Sequence, residues 1–259
     1  MLLISLLLQA ATPSTAQPLP TLNEVQFSEC LTLARTDSAS AVIDASLWAH
    51  QGGGYLARAC QGLALATDFK FDLALPVLME AAKGADAKGD PRAARFWAQA
   101  GNAAIVAGEP QVALGALTQA LMSTDLSPQE RADGEVDRAR ALVALNQNDN
   151  AEKALASARE LSPENGTAWL LSATLSRRLN KLPDALAYIR TAAALSPRDA
   201  AVALEAGNIA IVAGDEAAAR KQWEQAIAIA PDSRQAVSAQ NQIAALGGGP
   251  TPVNEPQSR

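Results

Sequence analysis

Hydrophobic and polar positions recur along this chain with a fixed beat. Ala139, Ala173 and Gly207 stand 34 residues apart, as do Ala151, Ala185 and Ala219, and again Ala158, Ala192 and Ala226. Pro163, Pro197 and Pro231 keep the same interval, each closing a segment of helical character where the chain must leave one helix pair and begin another. Two helices of a hairpin approach closely only where side chains are small, so columns of Ala and Gly mark helix crossings and large residues fill the neighbouring holes. Trp169 with Leu170 and Ile189, and Leu204 with Trp223 and Ile227, are those large residues in the best-formed units.

The beat continues upstream with a slip. Gly101, Ala113 and Ala120 precede the three columns by 38 residues, and Gly62, Ala74 and Ala81 precede these by a further 39. All three columns shift together, which places the extra residues between hairpins, in the stretches Gly84 to Pro91 and Asp125 to Pro128, both rich in helix breakers. Residues 100–108, AGNAAIVAG, reappear at 206–214 as AGNIAIVAG, with one difference in nine. A less regular hairpin is expected ahead of the repeats, with helices over Asn23 to Arg35 and Ser38 to His50. A capping helix is expected at 234–246, because the last hairpin must cover its apolar face. Residues 247–259 have no periodicity and read as a disordered tail.

At these residues the chain resembles the tetratricopeptide repeat family: an aromatic or small residue opens the first helix, paired small residues lie in the second, and Pro stands at the exit. The resemblance covers residues 55–233 as five repeats, preceded by the irregular hairpin at 20–54. It implies an all-α, right-handed superhelical solenoid of helix hairpins whose first helices line a concave groove. The groove positions it implies are Arg95, Ala98, Asn102 and Ile105; Asp133, Val136, Arg140 and Val143; Thr167, Leu170, Thr174 and Arg177; and Ala201, Leu204, Asn208 and Ile211. Among them Asn102, Arg140, Thr174, Arg177 and Asn208 are the candidate peptide-binding residues. A carboxamide pairs with the backbone of an extended peptide, or else ties neighbouring helices together. Arg140, Arg177 and Arg178 form a basic spot able to take a carboxylate, or are solvated charges with buried stems. Ala98 and Leu204 occupy the place of a clamp Lys, which argues against recognition of chaperone C-termini.

Composition narrows the picture. Hydrophobic residues make up 49% of 259 and aromatics only 4%, which fits closely packed helices and little strand. The net charge of −6 argues against a nucleic-acid surface, which needs clustered cations. Leu2 to Leu8 form an apolar run followed by Ser14-Thr15-Ala16, the pattern of a signal peptide over 1–16 cleaved before Gln17, although no Lys or Arg precedes the run. An uncleaved anchor is the alternative, but the run falls far short of the roughly 20 residues that span a bilayer. A periplasmic or secreted protein without an integral span after cleavage is expected. Cys30 and Cys60, the only cysteines, then read as one disulfide closing a loop worth about 3.5 kcal/mol in the chain-entropy picture, with two buried thiols as the alternative.

Catalytic chemistry is hard to assemble from what remains. His50 is the only histidine and reads as a helix-end cation, and two cysteines with one histidine make no tetrahedral zinc set. Gly52-Gly53-Gly54 lacks the Lys-Ser/Thr of a phosphate loop and reads as a connector. Asp133 and Glu135 are expected on a solvated helix face, neither in an apolar pocket that would raise its pKa. No cofactor and no metal is expected. The expected function is a non-enzymatic interaction module that holds a protein or peptide in its groove as an envelope scaffold; a homo-oligomer stacking through terminal repeats, and an enzyme whose site is invisible in sequence, are the alternatives.

Overall fold

The computed structural model describes residues 21–247; the apolar leader at 1–16 and the tail from Gly248 onward lie outside the described residues. Thirteen α-helices follow one another: α1 (Leu22–Thr36), α2 (Ser38–Trp48), α3 (Gly54–Thr67), α4 (Phe71–Asp86), α5 (Ala93–Val106), α6 (Pro110–Met122), α7 (Pro128–Ala144), α8 (Asn148–Leu161), α9 (Gly166–Arg178), α10 (Leu182–Leu195), α11 (Ala200–Val212), α12 (Glu216–Ile229) and α13 (Arg234–Leu246). Among the described residues there is no strand. Each helix packs on its neighbours in sequence, and α3, α5, α7, α9, α11 and α13 also touch in series, so the hairpins stack into a solenoid whose first helices lie side by side.

The small-residue columns sit at the crossings. A Cβ on Gly62 would come within 2.6 Å of the Leu78 side chain, one on Gly101 within 2.6 Å of Leu117, and one on Gly207 within 2.4 Å of Trp223. Leu78, Leu117 and Trp223 are themselves buried, as are the column alanines 74, 81, 113, 120, 151, 158, 185, 192, 219 and 226. Close backbone approach thus lets one large side chain of the second helix fill the space over the first, which is the dense packing that interiors require.

Every repeat turns between its two helices in the same way. Phe69, Gly108, Asn146, Asn180 and Gly214 all adopt positive φ, and the amide after each donates to a carbonyl five residues back, from Lys70 to Leu65 (2.9 Å) through Asp215 to Ala210 (3.0 Å). Gly and Asn tolerate this left-handed conformation. Phe69 does not do so readily, yet it holds φ 57° with its ring almost wholly exposed and edge-on to Phe71 at 6.3 Å.

The front of the stack is built differently. Gly84 to Asp86 belong to α4, not to the connection, because Gly84 lets α4 run past Tyr55, where a Cβ would lie 2.7 Å from the tyrosine Cβ. The connection that follows is fastened by Asp90, which accepts from Tyr55 Oη at 2.6 Å and from the Arg92 guanidinium; Arg92 also stacks on Phe27 of α1. A wide turn of π-helical type at Ala49–Gly53 joins α2 to α3, with Gly52 at φ 98° and Gly53 under the Trp48 indole. Exposed His50 donates from Nδ1 to the Ser46 carbonyl at 2.7 Å in this turn. Cys30 of α1 is bonded to Cys60 of α3, with their Cα atoms 6.2 Å apart, so the disulfide ties the first hairpin to the second. At the other end α13 lies against α11 and α12 and buries Ala236 and Ala239. No helix of the described residues is long and apolar enough to cross a membrane.

Candidate functional site

The five groove residues of interest fall at three places. Asn102 of α5 donates from Nδ2 to Asp137 of α7 at 3.3 Å, and Asp137 also accepts from Arg140 at 2.5 Å. Asn102 borders a concave hollow of about 460 Å³ whose other walls include Leu31 of α1, Leu63 of α3 and Phe71 of α4. Arg177 of α9 forks onto Glu205 of α11, Nε to Oε1 at 2.6 Å and Nη2 to Oε2 at 3.2 Å. Asn208 donates to the same carboxylate at 3.3 Å and accepts from Trp223 Nε1 at 3.1 Å. Both asparagines therefore have their donors engaged inside the chain, and Arg177 is a strut between hairpins. Glu205 is buried, and each of its oxygens has a partner, which satisfies the rule that a buried charge be paired.

Arg140 and Thr174 do converge. With Arg178 they rim a cleft of about 210 Å³ between α7, α8 and α9, whose apolar lining is Ala139, Val143, Leu155, Leu171 and Leu175. Thr174 spends its hydroxyl on the Leu170 carbonyl at 3.1 Å. Arg178 is exposed at the end of α9 and has no carboxylate at ion-pair distance among the described residues. The basic spot is thus Arg140 and Arg178, with Arg177 turned away from it toward Glu205.

Sequence reasoning missed the acidic partners. Asp137 and Glu205 occupy one register position of the first helix, shared by Gln99 and Leu171, and each stands three residues before a candidate groove residue. Acids recurring at that place, one turn from Arg140 and Asn208, were the available signal. Glu135 is a correction: it is buried, and burial pushes its carboxyl above the ordinary value, with Arg138 and Arg131 opposing. Arg138 Nη2 stands 2.8 Å from Glu135 Oε2 but off the hydrogen-bonding line, leaving Oε2 and Arg138 Nε buried without a hydrogen-bond partner among the described residues. Elsewhere Arg95 of α5 pairs with Glu130 of the Ser127 capping box, and that guanidinium, with the Ser127 amide and hydroxyl, holds the Glu130 carboxyl down at about 2. No group of His, Cys, Asp and Glu suited to a metal ion occurs among the described residues.

The architecture is that of a helical-repeat solenoid: stacked hairpins whose first helices lie side by side. The profile of the tetratricopeptide repeat matches residues 136–199 and 170–234, so that stretch consists of tetratricopeptide repeats, and the described helices before residue 136 continue the same stack. No curated protein is similar to it in sequence at a significant level. In fold it is similar to PilW, a widely conserved type IV pilus biogenesis factor, with 17% identity over 87% of this chain and 100% of that one at TM-score 0.72. It is similar also to PilF of Pseudomonas aeruginosa, with 17% identity over 86% and 99% of the two chains at TM-score 0.66. YrrB, a tetratricopeptide protein with an unusual peptide-binding site, has 21% identity over 75% and 96% at TM-score 0.52. Such helical repeats are protein-interaction folds.

Proposed function

We propose that this protein is a non-enzymatic scaffold of the cell envelope that holds a segment of a partner protein in its concave groove, with the cleft between α7, α8 and α9 as the anchor point. One observation carries the reading: half-buried Val143 and Leu171, over the buried Ala139, Leu155 and Leu175, line an apolar cleft under a rim of Arg140, Thr174 and Arg178. An aliphatic side chain of the partner fills the cleft, and the two guanidinium groups take a neighbouring carboxylate or backbone carbonyl. The Leu2 to Leu8 run with Ser14-Thr15-Ala16 and the Cys30–Cys60 disulfide support an oxidising compartment outside the cytoplasm. The peptide-binding site named for YrrB and the pilus role named for PilW are consistent in kind with this reading.

Photocrosslinking in the native cells tests it. A benzophenone residue at Thr174 should capture a partner that the same residue at Lys221, on the outer side of α12, does not. Addition of Leu171→Glu, which puts a charge in the cleft, should abolish capture while the fold is retained. Equal capture from Lys221, or capture indifferent to Leu171→Glu, rejects the groove as the binding face. A second reading has its own observation, since Ile43 and Leu47 lie one turn apart on α2 and are both largely exposed. Self-association through that face would appear as a concentration-dependent mass that Ile43→Asp abolishes.

A further inference from the structure

The hairpin of α7 and α8 departs from its neighbours on either side at one register position. Trp97 of α5, Glu135 of α7 and Trp169 of α9 are register equivalents, and one turn later so are Ala100, Arg138 and Ser172. The two indoles are fastened to what precedes their helix: Trp97 Nε1 donates to Asp86 of α4 at 2.5 Å, and Trp169 Nε1 to the Pro163 carbonyl in the α8–α9 connection at 2.8 Å. In α7 the buried Glu135 and the half-buried Arg138 stand in that place as an ion pair. Such a pair stabilises less than an aromatic side chain of similar volume, because both charges must shed water. Fold alone gives no reason to keep it.

Arg138 faces a cleft of about 330 Å³ on the second-helix side of the stack, between α6 and α8 above α7. Leu114 and Leu142 form apolar walls, while Arg138, Gln147 and Lys153 face the space. Asn150 Nδ2 donates to Gln147 Oε1 at 3.2 Å, which leaves the Gln147 amide hydrogens to donate elsewhere. The helix beginning at Asn148 has no side-chain cap, so its first backbone N–H groups are open as well. One hairpin further on, the equivalent cleft is neutralised from within: Lys181 is paired with Glu152, and the Arg159 guanidinium lies 4.4 Å from the Tyr188 ring and 5.2 Å from Trp169 and donates to Ser172. Lys153, shared between the two clefts, has no carboxylate at ion-pair distance among the described residues.

We propose that the outer cleft between α6 and α8 binds a carboxylate on a short aliphatic stem, held by Arg138, Lys153 and Gln147, with Glu135 behind Arg138 as its positioning residue. Two cations against one buried carboxylate leave a surplus of a single positive charge, which matches a monoanion rather than a phosphate dianion. The apolar walls take the stem. An acidic side chain of a bound protein and a free monocarboxylic acid share this chemistry. The site shares no lining residue with the cleft between α7, α8 and α9, so it stands or falls separately from the groove reading.

The test is a titration of the 15N-labelled full chain, followed by NMR at constant ionic strength, with butyrate, with N-acetylglutamate α-amide, and with phosphate and chloride as comparators. Saturable shifts of the Gln147 to Asn150 amides and of Arg138 Nε are expected with the two carboxylates. Lys153→Gln, at an exposed position, should weaken them about tenfold. Glu135→Trp with Arg138→Ala, which reproduces the pair found in α5, should fill the cleft and abolish the shifts while circular dichroism stays helical; should that variant not fold, Lys153→Gln decides alone. Binding of the glutamate derivative without butyrate assigns the site to a polypeptide side chain, and binding of both assigns it to the carboxylate and stem alone. No saturable shift beyond chloride, tighter binding of phosphate, or shifts indifferent to Lys153→Gln overturns the proposal.

Discussion

Arg177 looks like a groove residue in sequence and behaves as a strut in the structure, and the two roles differ in their energetics. Its guanidinium forks onto Glu205, whose side chain is only 9% exposed, so Arg177→Met strands a carboxylate with the single remaining donor Asn208. Removing one member of a buried pair costs about 3–5 kcal/mol. Arg177 is itself 23% exposed and water can approach the vacated side, so about 2–3 kcal/mol is expected here. Arg177→Met with Glu205→Leu removes both charges and should recover to within about 1 kcal/mol of the parent. Urea unfolding followed by far-ultraviolet circular dichroism gives the total, and fluorescence reports locally, since Trp223 donates to Asn208 in the same network. The four proteins form a double-mutant cycle whose coupling energy isolates the pair. A loss below about 1 kcal/mol for Arg177→Met, with no coupling, would refute the strut and return Arg177 to the groove.

Three further outcomes are expected. Replacing Cys30 and Cys60 together with Ser should cost about 3 kcal/mol and make limited proteolysis start at the Thr36-Asp37 turn, because α1 buries few side chains beyond Phe27, Cys30 and Ala34; an unchanged cleavage pattern would show that packing alone holds α1. Phe69→Asn should raise stability by about 0.5–1 kcal/mol in denaturant melts, since Asn suits the left-handed turn and little more than an edge contact with Phe71 is lost; a destabilisation would mean that the ring contributes more than its exposure implies. Glu130 has its folded pKa lowered from 4.5 to about 2, so its contribution is present above pH 4.5 and fades as pH falls toward 2. The stability advantage of the parent over Glu130→Gln should shrink across that window, and an advantage independent of pH would contradict the Arg95 pairing.

The repeat was legible because hairpin crossings constrain single positions. Gly62, Gly101 and Gly207 each lie under one large side chain, and that demand recurs once per hairpin, so it survives as a visible column. The family match and the solved relatives agree with the solenoid that those columns imply. Side-chain pairing was less legible for a physical reason. Arg177 meets Glu205 from 28 residues away and Asn102 meets Asp137 from 35, distances at which only the stacked structure says which heads face each other. The burial of Glu135 escaped because a charged residue has replaced an aromatic, and polarity alone predicts solvent. Gly84, a helix breaker by propensity, remains in α4 because Tyr55 needs the space.

The covalent bond at the front of the stack gives the molecule a direction. In a one-dimensional array each unit is held only by its neighbours, so opening begins at an end and travels inward. The Cys30–Cys60 bond clamps the first described hairpins, whereas among the described residues α13 is held by packing on α11 and α12. Thermal fraying and mechanical unzipping therefore share one starting point, α13, and proceed toward the locked end. A force applied along the stack is borne last by the hairpins beside the disulfide.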